Sequence, residues 1–132
     1  MKTCIEVESL HPSDEVWLVI DKDSWAEEHL LMLFEWSKKS EKYGLAMSNP
    51  KFEYWLLLHF EDGYGVSNGK ECTTRLKKYL PEYDKSFDPR IITKIMIDKA
   101  IERAQKNDTS FCEKWPLKTG STVYRLIQRI CN

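Results

Sequence analysis

The chain has 132 residues, enough for one domain with a buried core but too few for two ordinary domains. With 42% hydrophobic and 31% charged residues, it has the composition of a folded globular protein rather than a disordered one. The near balance of 20 basic and 21 acidic residues excludes a polycation of the histone kind.

The charge is distributed unevenly along the chain. Residues 1–69 contain six Lys, no Arg and 13 acidic residues, a net charge of −7, whereas residues 70–132 contain 14 basic and eight acidic residues, a net charge of +6. Most of these side chains are expected on solvated helix faces. Collectively, however, the basic half could hold a polyanion beside an acidic site, because phosphate contacts dominate such binding.

The cysteines and the apolar segments of the sequence indicate the cellular compartment in which the protein is expected. The four cysteines are scattered without CxxC spacing, which argues against a zinc knuckle, and a chain of this size needs no disulfide framework. No secretory leader opens the sequence and no apolar run approaches 18 residues. We therefore expect a cytoplasmic protein with reduced cysteines and no membrane association.

The first half of the chain predicts a strand–helix–strand unit. Weak alternation suggests a short strand at residues 4–8, followed by a turn at 11–14. The unbroken apolar run at residues 16–20 predicts a strand buried on both faces in the middle of a parallel sheet. An amphipathic helix is expected over residues 26–43 and a brief strand over 45–47.

The rest of the chain predicts helices. They are expected over residues 49–60, with Asn49 as the cap, over 69–80, over 90–106, and after residue 122. The predicted fold class is therefore α/β, with a small, mostly parallel sheet flanked by helices and a helical C-terminal half. We expect the whole chain to form a single domain.

Two aspartates follow the first predicted buried strand. In open parallel sheets, ligands collect at the carboxyl ends of the strands, which places Asp21 and Asp23 at such a site. Two carboxylates one residue apart can bind a divalent cation such as Mg²⁺ or Mn²⁺. The alternative is a polar strand exit with two solvated acids, since Asp is also an ordinary turn residue.

A second group of polar residues follows the next strand. Ser48 and Asn49 should lie near the two aspartates and are candidate phosphate contacts, together with the helix N-terminus there. Glu53, one turn further, could act catalytically by supplying a third carboxylate or orienting a metal-bound water; the alternative is an acid that complements the helix dipole. His59 is read as a hydrogen-bonded structural histidine rather than as a ligand.

The basic residues offer candidate contacts to a nucleic-acid backbone. Lys85 stands alone in a predicted loop and is the candidate for a specific, catalytic role. The other candidate phosphate contacts are Lys51, Arg75, Lys78 and Arg125. No aromatic interleaving of the kind found in single-strand binders is present, and no P-loop, GxSxG or HExxH motif occurs.

Several segments together resemble the RloB-like family. The first two are DEVWLVIDKD at residues 14–23 and SNPKFEYWLLLHF at residues 48–60. Residues 71–85, with RLKKYL and YDK, agree with the family, as do AIERA at 100–104 and STVYRLI at 121–127. The match covers nearly the whole chain, and the second segment is long and specific.

The resemblance implies a fold and an activity. RloB-like proteins are bacterial and archaeal, are linked to restriction and abortive-infection loci, and are often encoded beside an AAA-type ATPase. They resemble the Toprim fold, in which an N-terminal glutamate and a later DxD bind metal. By this resemblance Asp21 and Asp23 would be the metal-binding aspartates, Glu53 with Ser48 and Asn49 would complete the site, and the reaction would be metal-dependent cleavage of a nucleic-acid phosphodiester.

The sequence departs from the family pattern at its start. Family members open with a strand and an EGxTE-like motif; here no such motif exists, and Glu6 and Glu8 do not match it. We expect a truncated member, a fragment or a natural variant, whose open sheet edge could be filled by a partner or by a second copy in a homo-oligomer. The alternative function is a non-catalytic module that binds nucleic acid or an ATPase; a phosphate-receiving Asp21 is a third possibility.

Overall fold

A three-stranded mixed sheet organises the computed structural model, which describes residues 14–108, 116 and 118–131. The predicted α/β class is confirmed. The strands are β1 (Val16–Asp21), β2 (Tyr43–Asn49) and β3 (Gly120–Ser121). The α-helices are α1 (Glu27–Ser37), α2 (Phe52–Leu57), α3 (Gly69–Leu76), α4 (Lys94–Asn107) and α5 (Val123–Cys131), and short 3-10 turns occupy Lys22–Ser24 and Pro89–Ile91.

The sheet order is β1-β2-β3. β1 and β2 pair in parallel along their length and α1 connects them, so the predicted strand–helix–strand unit is present. The sheet as a whole is mixed, because β3 pairs with the end of β2 in the antiparallel sense.

Within the described sheet, β1 is not the middle strand that was predicted for residues 16–20. Among the described residues β1 is an edge strand: none of its residues is buried, and Val19 is 45% exposed. The middle strand is β2, with Ala46, Met47 and Ser48 fully buried. An apolar run indicates a strand but does not determine how many neighbours that strand has.

The first helix is shorter than predicted. It ends at Ser37, and residues 38–42 form a turn that leads into β2. Trp36 and Tyr43 stack across this turn with ring centroids 4.6 Å apart. Gly44 belongs to β2, where a Cβ atom would lie 2.4 Å from the indole of Trp17 on β1, so the ring occupies the space that a side chain would need.

The helix after β2 begins later than predicted. Asn49 ends β2 and forms a cis peptide bond with Pro50, and the cap position of α2 is Lys51. Asn49 is therefore not the cap, and its amide instead donates to the carbonyl of Pro116 at 3.0 Å. The carboxylate of Asp21 takes the capping role by accepting from the N–H of Phe52 at 2.8 Å.

The main core surrounds α2. Every residue from Tyr54 to Leu58 is buried, against side chains of α3, α4 and α5, while Leu30 and Met47 form a second, small core under α1. In the described part of the C-terminal half, the regular elements are helices apart from β3, and α3 and α4 are shorter than predicted. The strand predicted at residues 4–8 and most of the turn predicted at residues 11–14 lie outside the described residues.

Candidate active site

The carboxyl ends of β1 and β2 bring four predicted site residues to one edge of the sheet. Asp21 is the last residue of β1 and pairs in register with Ser48 of β2. Asp23 follows in the 3-10 turn, and Asn49 is the last residue of β2. Since the two strands are parallel, their ends meet at the same edge, where ligands of open α/β sheets bind.

The two aspartates have different surroundings. Asp21 is half-buried, and its Oδ1 accepts the hydrogen bond from Phe52. Asp23 is exposed; its backbone N–H donates to the carbonyl of Pro50 at 3.1 Å, but no side chain or backbone group in the described ranges contacts its carboxylate through a hydrogen bond or ion pair. The Asp23 carboxylate is therefore open to an exogenous ligand.

Glu53 lies on the first turn of α2, and its side chain is only 4% exposed. Its Oε2 accepts hydrogen bonds from the Tyr83 hydroxyl at 2.7 Å and from the Lys85 ammonium at 3.0 Å. Its Oε1 is buried and receives no hydrogen bond from any residue that the structure describes. A buried acceptor of this kind is costly to leave without a donor or a cation, which points to an exogenous partner.

The charge state of Glu53 follows from these contacts. Burial raises the pKa of Glu53, but the hydrogen bonds from Tyr83 and Lys85 outweigh burial, so the pKa lies below its ordinary value of 4.5. The ion pair with Glu53 in turn raises the pKa of Lys85. At neutral pH the pair is a carboxylate and an ammonium, and Oε1 is a hydrogen-bond acceptor.

Tyr83 and Lys85 come from the segment between α3 and α4. The Lys85 backbone has a φ of 63°, in the left-handed region that few non-glycine residues adopt and that is enriched at functional sites. The sequence analysis proposed a role for Lys85 but none for Tyr83, which is buried against the core although it lies in a loop. The signals for Tyr83 were an aromatic residue two positions before the candidate lysine and its place in the YDK segment that resembles the family.

The other polar residues at the edge are bonded within the protein. The Ser48 hydroxyl is fully buried and lies 2.8 Å from the hydroxyl of Ser121 on β3. The Lys51 ammonium donates to the hydroxyl of Thr73 on α3. Gly69, the first residue of α3, lies between Lys51 and Asp23, since a Cβ there would be 3.6 Å from Lys51 Cδ and 3.7 Å from Asp23 Oδ2. The N-terminal end of α2 thus adjoins Asp21, and that of α3 adjoins Asp23.

Two of the candidate phosphate contacts are held in ion pairs. Arg75 pairs with Glu61 and also donates to the carbonyl of Tyr64. Arg125 pairs with Asp108 at 2.6 Å, which joins the start of α5 to the end of α4. Lys78 is exposed, and its ammonium contacts no acidic side chain in the described part of the chain.

His59 lies away from the sheet edge. Its ring is buried, with Nδ1 3.0 Å from the carbonyl of Trp55 and the ring edge-on to the Trp55 indole. Burial lowers the pKa of His59, so the ring is neutral at neutral pH and Nδ1–H can donate to that carbonyl.

The donor chemistry of the site fits Mg²⁺ or Mn²⁺. Asp21 and Asp23 offer the carboxylate oxygens that these hard cations prefer, and Mg²⁺ in phosphoryl chemistry commonly takes one or two protein carboxylates plus water and phosphate. Across residues 14–108, 116 and 118–131, however, no group of three or more His, Cys, Asp or Glu side chains is close enough to hold a metal ion. The site therefore suits a cation that takes its remaining ligands from water and phosphate. It does not suit a cation that the protein alone must surround.

The fold and the site define an α/β protein with carboxylates at the ends of parallel strands. A family model described as RloB-like protein matches residues 3–130, and the chain belongs to this family. Neither the curated proteins nor the solved structures contained a match to the chain. Within the described residues, no helix combines the length and the apolar character needed to cross a membrane.

Proposed function

We propose that this protein is a Mg²⁺- or Mn²⁺-dependent nuclease with a Toprim-like site that cleaves nucleic-acid phosphodiesters. The observation that carries the proposal is Oε1 of Glu53, a buried carboxylate oxygen beside the carboxyl ends of β1 and β2 that no described residue contacts through a hydrogen bond. Asp21, whose Oδ1 caps the turn that bears Glu53, and the exposed Asp23 lie at the same edge. Family membership supports the same reading.

Each residue has a role in this proposal. Asp21 and Asp23 would hold the cation, which when bound supplies charge neutralisation at the phosphate and a more acidic water. Glu53 is ionised at neutral pH, so its Oε1 would accept a hydrogen bond and then a proton from the attacking water. Lys85, whose side chain is 73% exposed, can contact a phosphate without leaving the vicinity of Glu53.

The backbone of the nucleic acid would lie along the basic residues near the edge. Lys51 and the N-terminus of α3 adjoin Asp23, and both favour an anion. Lys78, exposed on the turn after α3, would add a phosphate contact that is screened by salt. Binding should accordingly weaken as the salt concentration rises.

The experiment that tests this function is a cleavage assay with the Glu53→Gln variant. Purified protein is incubated with single-stranded and duplex DNA and RNA, with Mg²⁺, with Mn²⁺ or with EDTA. We expect cation-dependent cleavage that Glu53→Gln lowers about 100-fold or more, while the exposed Glu28→Gln control cleaves normally. Cleavage in EDTA, or an unaffected Glu53→Gln variant, would contradict the proposal.

The biological setting is also proposed from family membership. As an RloB-like protein, the chain is expected to serve a bacterial or archaeal antiphage system of the abortive-infection or restriction type and to act with an AAA-type ATPase. Plaque assays in cells that express the wild type or Asp23→Asn test this role. Equal protection by both would show that the antiphage role does not depend on the proposed metal site.

A second candidate function is a non-catalytic module that binds nucleic acid or an ATPase. It is favoured by the finding that the described residues gather no three-member group of metal-ligating side chains. A binding module should bind nucleic acid equally well in Mg²⁺ and in EDTA and should not cleave it. Replacing the two aspartates by Asn should then tighten binding, because it removes two negative charges beside a polyanion.

A further inference from the structure

We propose that Tyr83 is a positioning residue, whose hydroxyl holds Oε2 of Glu53 so that Oε1 faces the reacting water. The proposal rests on the function proposed above and adds to it a residue that touches neither the cation nor the substrate. Tyr83 lies 30 residues beyond Glu53 in the chain, and only folding brings the two side chains together.

The two donors on Oε2 are not equivalent. The Lys85 side chain is 73% exposed, so water and salt compete with its ion pair and its flexible stem holds the carboxylate weakly. Tyr83 is 8% exposed, packs against the main core, and its ring lies 6.3 Å from that of Phe87. A buried ring with two side-chain torsions is the rigid member of the pair, so Tyr83 fixes the orientation of the carboxylate.

The direction of this hydrogen bond is also fixed. Burial, the hydrogen bond to Glu53 and the negative charges of Glu53 and Asp21 all raise the pKa of Tyr83, so the phenol stays protonated and donates. Oε2 already accepts from both Tyr83 and Lys85. Oε1 is therefore the oxygen through which Glu53 can accept from a water molecule.

A second cluster in the same protein, formed by Asp108, Tyr124 and Arg125, has the same kind of hydrogen bonds as the Glu53 cluster and serves as a comparison. Oδ2 of Asp108 accepts from the Tyr124 hydroxyl and from Arg125, each at 2.6 Å, as Oε2 of Glu53 accepts from Tyr83 and Lys85. Two buried oxygens lack a hydrogen-bond partner among the described residues, Oε1 of Glu53 and Oε1 of Glu61, and neither belongs to Asp108. Oε1 of Glu61 is ion-paired with Arg75. Of these two oxygens, only Oε1 of Glu53 has neither a hydrogen bond nor an ion pair with a described residue, and this favours an exogenous partner there.

The test compares Tyr83→Phe with Tyr124→Phe in the full chain. Each substitution removes one hydroxyl that donates to a buried carboxylate and leaves the ring in place. Three quantities are measured for each: the urea unfolding midpoint, the pH titration of the Glu53 carboxyl carbon by NMR with ¹³C-labelled glutamate, and kcat and KM for cleavage of a nucleic-acid substrate in Mg²⁺.

The proposal predicts that the two variants lose similar stability but differ at the site. Tyr83→Phe should raise the pKa of Glu53 and lower kcat about tenfold while KM stays within about twofold, because the lost hydrogen bond orients a group that acts in the transition state. Tyr124→Phe should change neither. An unchanged Glu53 titration in Tyr83→Phe, or an equal fall of kcat in Tyr124→Phe, would overturn the proposal.

These measurements distinguish failure of the positioning role of Tyr83 from failure of the proposed nuclease function. If the wild type does not cleave any substrate, the nuclease proposal fails while the carboxyl titration still reports whether Tyr83 controls Glu53. If the wild type cleaves and Tyr83→Phe retains both the titration and kcat of the wild type, the nuclease proposal stands and the role of Tyr83 is refuted.

Discussion

Asp21 accepts a hydrogen bond of 2.8 Å from the backbone N–H of Phe52, so the last residue of β1 caps the helix that carries Glu53. The contact spans 31 residues of sequence and fixes the sheet edge against the start of α2. One carboxylate therefore has a structural role through Oδ1, and in the proposed site it is also a metal ligand. Substitutions at Asp21 must separate these two roles.

Asp21→Ala and Asp21→Asn provide that separation. Asp21→Ala removes the cap and should lower the free energy of unfolding by about 1 kcal/mol. Asp21→Asn keeps an Oδ1 acceptor for Phe52 and should cost less, although it removes the charge that would bind a cation. Urea unfolding measures the first effect and Mn²⁺ titration the second; equal stability of the two variants would refute the capping role.

A substitution of Asp23 should affect cation binding but not stability. Its carboxylate makes no hydrogen bond or ion pair with the residues described here, so Asp23→Asn should leave the unfolding free energy within about 0.5 kcal/mol of the wild type. Mn²⁺ affinity should fall about tenfold or more, because a charged ligand is lost. Glu28→Gln on the exposed surface of α1 is the control, and an unchanged Mn²⁺ affinity in Asp23→Asn would count against the metal site.

His59 should make stability depend on pH near neutrality. Its folded-state pKa lies below the ordinary value of 6.5 because the ring is buried, so the unfolded chain binds a proton more readily than the folded one. The stability that the neutral ring contributes is fully present above pH 6.5 and is lost as the pH falls from there towards the folded-state pKa. Urea unfolding at pH 7.5, 6.5 and 5.5 should show this loss in the wild type and in a His29→Asn control, and less of it in His59→Asn.

Substitutions of Arg125 and Lys78 should have different effects, the first on stability and the second on nucleic-acid binding. Arg125 is held by Asp108, whose side chain is 8% exposed, so Arg125→Ala should lower the free energy of unfolding by roughly 1–2 kcal/mol, since it removes a charged hydrogen-bond donor from that carboxylate. Lys78→Ala should leave stability unchanged and weaken nucleic-acid binding, most strongly at low salt. Equal loss of binding in both variants, measured by fluorescence anisotropy, would show that Arg125 also contacts phosphate.

The sequence was sufficient to predict the local elements of the site. The apolar run at residues 16–20 and the short strand at 45–47 predicted parallel neighbours, and these placed Asp21 and Ser48 at one edge. The position of β1 at the edge of the described sheet could not be predicted, because an apolar run indicates a strand but not the number of its hydrogen-bonded neighbours.

The contacts that tune the site depend on tertiary structure. Nothing in the local sequence of Tyr83 indicates that it reaches Glu53, and nothing near Arg125 indicates that Asp108 neutralises it. The helix cap was misplaced for a similar reason: Asn49 fits a cap by residue type, but the acceptor is supplied from another strand by Asp21.

The proposed metal site is best tested by measuring cation-dependent cleavage with the Asp21→Asn, Asp23→Asn double variant. Both changes preserve side-chain size, and Asn at position 21 preserves the acceptor for Phe52, so the variant should remain folded. We expect wild-type protein to cleave nucleic acid in Mg²⁺ or Mn²⁺ and the folded double variant to lose this activity about 100-fold or more. A double variant that cleaves at the wild-type rate would contradict this expectation.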